Sequence, residues 1–291
     1  MDGVRHWSPG SRAFLAAAKL IRDILKQISK DQVKTRGRSS FEFLEYFPRP
    51  PIMRALILSD IHANMQALAA VLAAAPEHDI VWNLGDVVGY GASPNETIVC
   101  LKELNSVYVR GNHDRACCGL TSLDDFNPVA RQAAEWTHAQ LSRSRRKWLC
   151  DLPQGPVEVG EGLVCVHGSA ADEDIYVQTL GEAIDALQAA PSAWVEFYGH
   201  THVQGGFVRS DDGWYVFKPE YTSKHNEEFF DLPMRRGVRY LLNPGSVGQP
   251  RDGDWRAGFA LYDDVVSVVR FYRVPYDLDR AQKKILAAGL P

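Results

Sequence analysis

The chain has 291 residues, of which 45% are hydrophobic and 23% are charged, a balance that excludes a collagen, a disordered tail and a disulfide-stapled miniprotein. The formal net charge is −4, but residues 1–52 carry ten Lys and Arg against five Asp and Glu, and the remainder carries 22 against 31. Because an acidic body repels the phosphate backbone, no extended nucleic-acid surface is expected.

Residues 1–52 are predicted to form an extension with its own character. Apolar side chains recur at helical spacing among Lys and Arg over residues 11–30, which predicts one basic amphipathic helix. The polar, proline-interrupted stretch that follows is typical of a linker, so a separate domain is predicted over residues 53–291. A translation start at Met53, a helix packed on the body, and a helix that contacts a membrane surface or a partner are the alternatives left open.

From Met53 the sequence first alternates apolar runs with helical patterns and later becomes mostly strand-like. The pattern predicts strands over 54–59, 80–84 and 106–109, and helices over 64–75, from Pro94, and from Pro128 to about Ser142. Ser93 to Glu96 have the spacing of a capping box with proline at the first helical position. Further strand-like runs cover 163–167, 194–198, 203–209, 214–218, 238–242, 257–262 and 265–273. This order predicts an α/β body with two sheets, in which the later hairpin-like strands supply much of the second sheet.

The five cysteines are an odd set without CxxC spacing, and two of them are adjacent: Cys100, Cys117, Cys118, Cys150 and Cys165. This usage favours free thiols in a reducing compartment over a disulfide framework. No apolar run reaches the ~18–20 residues of a membrane span, and no secretory signal is recognisable. The sequence therefore predicts a cytoplasmic protein with no transmembrane segment.

Polar clusters directly follow several predicted strands, where α/β folds place their ligand sites. The clusters are Asp60-Ile61-His62, Gly85-Asp86, Gly111-Asn112-His113-Asp114, His167-Gly168 and Gly199-His200-Thr201-His202. Asp60 and His62 are two residues apart, so they project to the same side of an extended segment and can chelate one ion together. The carboxylate of Asp86 has two oxygens and can bridge two cations. Taken singly, Asp60 is equally consistent with a helix cap and Asp86 with a turn.

Seven of these side chains can ligate metal: Asp60, His62, Asp86, Asn112, His167, His200 and His202. With one bridging carboxylate, they fill two sites of about four protein ligands each. Imidazole, carboxylate and amide oxygen without thiolate suit Mn²⁺ foremost, and also Fe, Zn²⁺, Co²⁺ or Ni²⁺, and disfavour a calcium cage. Two such cations ~3.5–4 Å apart can bind two oxygens of a phosphoryl group, so phosphoester hydrolysis is the matching reaction.

In this order, the clusters resemble the motif set of the calcineurin-like metallophosphoesterases from Met53 to about residue 273. The resemblance implies an α/β fold, a four-layer αββα sandwich of two mixed β-sheets flanked by helices, with the N-terminal helical extension outside it. It implies a dinuclear centre. One ion would be held by Asp60, His62, Asp86 and His202, and the other by Asp86, Asn112, His167 and His200. It also implies that His113 acts beside the leaving group, as general acid or phosphate contact, and that Asp114 orients it.

Within that family the chain looks most like the small bacterial and archaeal phosphodiesterase branch, through residues 85–96, 111–116 and 241–254. The protein Ser/Thr phosphatase branch usually has Asp-Arg-Gly soon after Gly-Asp and Glu after Gly-Asn-His, where this chain has Gly89-Tyr90-Gly91 and Asp114. Protein phosphatase and dinucleoside tetraphosphatase activities are therefore not expected. The resemblance implies hydrolysis of a small phosphoester, a phosphodiester by preference, through in-line attack of a metal-bridged hydroxide.

Five further side chains are candidates for contacting the substrate: Arg110, Arg115, Asn243, Ser246 and Arg251. Each arginine is equally consistent with a surface ion pair, and the Asn243 segment with a tight turn. Residues 115–127 and 219–237 are expected to shape specificity, the latter as a lid or an interface. A phosphomonoesterase, a non-catalytic metal-binding scaffold and a nuclease are the alternative functions, and the oligomeric state is left open, a homo-oligomer included.

Overall fold

The structure is a computed structural model that describes residues 53–291. The basic amphipathic helix and the linker predicted for residues 1–52 lie outside the described residues, and the division of the chain at residue 52 stays a prediction. The strands are β1 (Arg54–Leu58), β2 (Ile80–Asn83), β3 (Ser106–Tyr108), β4 (Val157–Gly160), β5 (Leu163–Cys165), β6 (Val195–Phe197), β7 (Gly205–Ser210), β8 (Gly213–Phe217), β9 (Glu228–Pro233), β10 (Arg239–Asn243), β11 (Ala257–Asp263) and β12 (Val268–Val274). The helices are α1 (Met65–Ala74), α2 (Pro94–Lys102), α3 (Asn112–Cys118), α4 (Pro128–Gln140), α5 (Arg143–Cys150), α6 (Leu180–Ala189) and α7 (Leu278–Ala287).

Two six-stranded sheets form the body. The first has the strand order β3-β2-β1-β11-β12-β9 and the second has the order β4-β5-β6-β10-β7-β8. In the first sheet β1, β2 and β3 are parallel to one another, and β11, β12 and β9 pair antiparallel. In the second sheet β5, β6 and β10 are parallel, and β4, β7 and β8 are antiparallel. Both sheets are therefore mixed and flanked by helices, which confirms the predicted αββα sandwich.

The main core lies between the two sheets. Trp82 of the first sheet packs against Phe197 of the second at 5.6 Å between ring centroids and against Tyr262 at 5.7 Å. Successive side chains of β1 alternate between two apolar clusters, because Ile57 joins this inter-sheet core and Leu58 joins the cluster that includes the residues of α1 and α2. A strand buried on both faces is a continuous apolar run, which is why the sequence predicted β1 within one residue.

Several elements differ from the sequence expectations. Helices α3, α5, α6 and α7 and strands β4 and β9 were not predicted, because runs of four to ten residues show too little periodicity. The hairpin of β11 and β12 pairs with β1 in the first sheet rather than extending the second. The segment 219–237, expected to be a lid or an interface, contains β9, which pairs with β12 at the edge of the first sheet.

The start of α2 also corrects one expectation. Pro94 occupies the first turn as predicted, but the hydroxyl of Ser93 makes no cap bond to the helix. It accepts a hydrogen bond from the Nζ of Lys284 in α7 at 2.9 Å instead. The proposed capping box is therefore wrong, because a long-range partner takes the hydroxyl that would have capped the helix.

The cysteines do not all remain thiols. Cys118 and Cys150, the last residues of α3 and α5, form a disulfide with their Cα atoms 5.6 Å apart, whereas Cys100, Cys117 and Cys165 are free. The expectation of free thiols throughout is wrong for this pair, because its two residues meet only through the packing of two helices that the sequence did not predict. In the described part of the chain, no helix has the length and apolar character needed to span a membrane.

Buried Glu196 in β6 generates a prediction about stability. Its Oε1 accepts a hydrogen bond from the amide of Ala170 at 3.2 Å, and its Oε2 has no partner among residues 53–291. Burial raises the pKa of Glu196 to about 7. Because this folded-state pKa lies above the unfolded value, the folded protein binds the proton more tightly, and stability is lost as pH rises from ~4.5 to 7.

At pH 7.5 we therefore expect the free energy of unfolding of Glu196→Gln to exceed that of the unchanged protein by on the order of 3 kcal/mol. At pH 4.5 we expect no such gain. The measurement is urea unfolding of both proteins at the two pH values. Comparing the difference between the two proteins cancels the contribution of every other titrating group. An equal difference at both pH values would contradict the prediction.

Candidate metal centre

The polar clusters predicted from the sequence all follow strands whose carboxyl ends share one edge of the sandwich. Residues 59–62, 84–86 and 109–114 follow the parallel strands β1, β2 and β3, and residues 166–168 and 198–202 follow β5 and β6 of the second sheet. Parallel strands end on the same side of a sheet. The seven predicted ligands therefore converge where the ends of both sheets meet.

The first cluster joins the two sheets. The Nε2 of His62 lies 3.1 Å from the Nε2 of His202, and the same atom of His202 lies 3.3 Å from the Oδ1 of Asp60. The Oδ2 of Asp86 lies 3.6 Å from the Nε2 of His62 and 3.5 Å from the Nε2 of His167. Asp86 thus stands between the first cluster and the second, the position that a bridging carboxylate needs.

The second cluster is built around His167. Its Nε2 lies 3.1 Å from the Nδ1 of His200 and 3.2 Å from the Oδ1 of Asn112. The ligand atoms form two groups, each within 4.8 Å, that share one member. The groups are Asp60, His62, Asp86 and His202, and Asp86, His167 and His200. This is the division implied by the resemblance, and Asn112 adds an oxygen to the second group.

Each of the four imidazoles uses its outer ring nitrogen to contact a backbone carbonyl. The acceptors are the oxygens of Val88 for His62 (3.1 Å), Leu84 for His167 (2.8 Å), Gln249 for His202 (2.6 Å) and Asp174 for His200 (3.2 Å). A carbonyl can only accept, so the outer nitrogen carries the proton and the inner nitrogen presents a lone pair. Two lone pairs 3.1 Å apart repel unless a positive charge lies between them. The donor set therefore fits a pair of divalent cations.

The backbone around the ligands is held in an uncommon conformation. Asp60, His62, Asp86, His200 and His202 all have positive φ, between 48° and 65°. Non-glycine residues rarely adopt this region, and clusters of them mark functional sites. A glycine is required at position 111, because a Cβ atom there would lie 2.0 Å from the Oδ1 of Asp86. The Gly-Asn-His-Asp motif thus packs directly against the shared carboxylate.

The charges of the cluster depend on its burial and on its neighbours. Burial opposes a charge on His167, but the carboxylates of Asp86 and Asp60 outweigh it and raise the pKa of His167 to about 10. Burial and the charged His167 lower the pKa of His200 to about 3. Without a metal, a proton on His167 therefore supplies the positive charge between the facing nitrogens of His167 and His200.

His113 lies beside the ligands and borders an open cleft. Its ring packs against Tyr90 at 4.5 Å, His62 at 5.0 Å and Phe126 at 5.0 Å between centroids. The cleft has a volume of about 360 Å³, and its walls include Tyr90, His113, Phe126 and Tyr176. Burial, together with the charges of His202 and His167, lowers the pKa of His113 to about 4.

Asp114 does not orient His113 as the resemblance implied. Its carboxylate accepts hydrogen bonds from the amides of Val88 at 3.2 Å and Gly111 at 3.1 Å, and the Nδ1 of His113 has no hydrogen-bond partner within residues 53–291. The expectation is corrected because the carboxylate of Asp114 accepts from two backbone amides and makes no hydrogen bond to His113. Asp114 instead fixes the loop after β2 to the start of α3.

The five expected substrate contacts lie in three different environments. Arg110 and Arg115 both form ion pairs with Glu173, and Arg115 also pairs with Asp174, so two carboxylates balance the two guanidinium charges. The guanidinium carbon of Arg251 lies 5.9 Å from the centre of the Tyr90 ring, and Arg251 has no acidic partner among the described residues. Arg115 lines the cleft but is paired, whereas Arg251 lies next to Tyr90 of the cleft wall and donates a hydrogen bond to the neutral Oε1 of Gln249 at 2.7 Å.

Asn243 and Ser246 are fully buried and face the ligand loops rather than the cleft. The Nδ2 of Asn243 donates to the carbonyl of Gly199 at 2.8 Å, and the hydroxyl of Ser246 donates to the carbonyl of Asp60 at 2.7 Å. Their expected role as substrate contacts is corrected, because their polar atoms are occupied by the backbone. They support the loops that carry His200 and Asp60.

Sequence reasoning did not identify Tyr176 or Glu173 as part of the site. The ring of Tyr176 stacks on His200 at 3.8 Å between centroids, and Glu173 binds both arginines that flank the Gly-Asn-His-Asp motif. Neither residue lies in one of the ordered motifs. Their only signal in the sequence is their position shortly after His167.

Comparison with known proteins agrees with this geometry. Residues 53–264 match the model of the calcineurin-like phosphoesterase superfamily domain. An uncharacterized protein of Methanocaldococcus jannaschii is 34% identical over 239 residues, which cover 81% of this chain and 93% of that protein. The crystal structure of a metallophosphoesterase from Sphaerobacter thermophilus is 38% identical, with a TM-score of 0.68 and coverage of 82% and 95%. A hypothetical protein from Pyrococcus horikoshii, 20% identical, has a TM-score of 0.63 with coverage of 82% and 94%, which shows the shared fold.

The raised pKa of His167 predicts that metal binding displaces a proton. At pH 7.5 we expect Mn²⁺ to release about one proton from the metal-free protein, and its affinity to fall as pH is lowered, because protons compete for the ligand. Calorimetric titrations in buffers of different ionisation enthalpy measure this number. His167→Asn, which keeps an oxygen ligand but cannot hold the proton, should release fewer protons. Binding without proton release in the unchanged protein would contradict the prediction.

Proposed function

Because the chain belongs to the calcineurin-like phosphoesterase superfamily and is a metal-dependent phosphoric ester hydrolase, we propose that its reaction is the hydrolysis of a small phosphodiester at a centre of two divalent cations. One observation carries the proposal. The inner nitrogens of His62 and His202 face each other at 3.1 Å, as do those of His167 and His200, and every outer nitrogen is held by a carbonyl. This arrangement needs positive charge at two neighbouring points.

The two groups of ligands assign a site to each cation. Asp60, His62, Asp86 and His202 form the site that we name the first, and Asp86, Asn112, His167 and His200 form the second. Imidazole, carboxylate and amide oxygen without thiolate favour Mn²⁺, with Fe, Zn²⁺, Co²⁺ and Ni²⁺ as alternatives. When bound, such a pair offsets the charge of phosphoryl oxygens and lowers the pKa of water. The protein itself fixes the ligands and shapes the cleft.

The environment of His113 supports a contact with the phosphoryl group or the leaving oxygen. With its pKa at about 4, the imidazole is neutral at pH 7 in the metal-free protein. A general acid works best when its pKa is near the working pH, so the low pKa favours a hydrogen-bonding role over proton donation. The neighbouring rings of Tyr90 and Phe126 hold His113 at the wall of the cleft.

The balance of charge supports a diester over a monoester. A phosphomonoester carries about −1.5 to −2 at pH 7, whereas a diester carries a single negative charge. Glu173 pairs with both Arg110 and Arg115, and Asp174 pairs with Arg115, so the two carboxylates together neutralise the two arginines. Arg251, which lies next to Tyr90 of the cleft wall, has no carboxylate partner within residues 53–291. A cleft of about 360 Å³ further suits a small substrate.

The decisive experiment compares bis(p-nitrophenyl) phosphate with p-nitrophenyl phosphate on metal-stripped protein reconstituted with Mn²⁺. We expect the diester to be cleaved preferentially, and Asp86→Asn to lose both activity and paired metal binding because it removes the shared carboxylate. Asp231→Asn is the matched control, since it removes a carboxylate that pairs with Arg270 on the edge of the first sheet. Preference for the monoester would indicate a phosphomonoesterase. Two bound ions without turnover of either ester would favour the non-catalytic scaffold.

His113 can be tested separately from the metals. We expect His113→Ala to retain both ions and to slow turnover by ~10²-fold, because His113 contacts the substrate side of the site and is not a ligand. His113→Gln keeps a hydrogen-bond donor and should recover part of the rate. The measurements are metal content by elemental analysis and kcat on the diester. Loss of an ion in either variant would refute this separation of roles.

A further inference from the structure

The carboxylate of Glu173 is buried between two arginines that flank the Gly-Asn-His-Asp motif. Its Oε2 accepts from the Nε of Arg110 at 2.9 Å, its Oε1 accepts from the Nη2 of Arg110 at 2.8 Å, and the Nη1 of Arg115 also donates to Oε1. Only 7% of Glu173 is exposed. Burial raises the pKa of Glu173, but the two guanidinium groups outweigh it and lower the pKa below its ordinary value. Glu173 is therefore a charged bridge between Arg110 and Arg115.

The same segment touches the two histidines of the second cation site. The carbonyl of Asp174 accepts the outer N–H of His200 at 3.2 Å, and the carboxylate of Asp174 pairs with Arg115. The backbone of Glu173 also packs on the residue after His167, because a Cβ atom on Gly168 would lie 2.6 Å from the Glu173 carbonyl oxygen. The position of Glu173 is thus transmitted to both histidines.

Asn112 completes the connection. It lies between Arg110 and Arg115 in the chain, and its Oδ1 contacts the Nε2 of His167 at 3.2 Å. Every ligand of the second site other than the shared Asp86 is therefore linked to Glu173. Among the described residues, the ring supports of the first site are different, because His62 bonds to Val88 and His202 bonds to Gln249. The loop of Asp60 bonds to Ser246, and the Asp60 carboxylate contacts the second site through the backbone amide of His200 rather than through its ring.

We propose that Glu173 is a positioning residue that sets the affinity of the second cation site without acting on the first. The inference rests on the two-cation centre of the proposed function and names a residue that tunes one half of it. Without its charge, the two guanidinium groups face each other with only the carboxylate of Asp174 to balance them, and the Asp174 carbonyl moves with Arg115. His200 then loses the acceptor that fixes its tautomer, so its inner nitrogen no longer presents a lone pair of fixed direction.

The test is a titration of metal-stripped full-length protein with Mn²⁺ by calorimetry, which reports two binding events separately. In Glu173→Gln we expect the affinity of one event to fall by ~10–100-fold, the typical effect of removing a group that orients a ligand, and the other to stay unchanged. Glu173→Asp keeps the charge and should lie between the two. Asp231→Asn breaks a comparable Arg–carboxylate pair, with Arg270 at 2.7 Å, and should leave both affinities unchanged.

Three results would overturn the proposal. Glu173→Gln could bind both ions with unchanged affinity, it could bind both with equally weakened affinity, or the unchanged protein could bind fewer than two ions. Thermal unfolding of each metal-stripped variant separates selective weakening from general loss of structure, because a merely structural role would lower the melting temperature of the metal-free protein and weaken both sites. The outcome is independent of activity. Selective loss of one ion in a protein that cleaves no phosphoester would uphold the role of Glu173 and refute the proposed function.

Discussion

Four imidazole rings donate outward to backbone carbonyls, and this constraint shapes the whole edge where the two sheets meet. Because the outer nitrogens of His62 and His202 are bound to the carbonyls of Val88 and Gln249, their inner nitrogens can only accept. One of these histidines follows the first sheet and the other follows the second. A cation held by both histidines would tie the sheets together, so the alignment of the sandwich and the binding of metal would be coupled.

The loops that carry these rings are held by buried polar side chains rather than by apolar packing. Asn243 and Ser246 bond to the carbonyls of Gly199 and Asp60, and Asp114 receives two backbone amides. The left-handed backbone of Asp60 is stable only because such bonds over-determine it. Asn243 and Ser246, which the sequence suggested as substrate contacts, thus stabilise the strained loops that carry the ligands.

The sequence predicts the functional residues that directly follow strands, and it does not predict contacts between residues that are distant in the chain. The seven ligands follow five strands in a fixed order, so an α/β body with two sheets and the ligands themselves were accessible from local pattern, whereas the sandwich and the two groups of ligands were implied by the family resemblance. Glu173 and Tyr176 were not accessible from local pattern, because their roles depend on contacts with residues 58 to 63 positions away or with a ring on another loop. The disulfide of Cys118 with Cys150 was missed for the same reason, since it joins the ends of two short helices.

The ion pairs of Arg110 and Arg115 are explained by the source of positive charge at the proposed metal centre. In a phosphate site without metal, Arg110 and Arg115 would be expected to bind the anion directly. Here both are committed to Glu173, which would be unfavourable for binding an anion unless another source of positive charge were present. Two divalent cations at the neighbouring ligands would supply that charge. The arginines would then be available to fix the geometry of His200 and Asn112, and the cations would dominate the local field enough for a carboxylate to lie close to the proposed phosphoryl site.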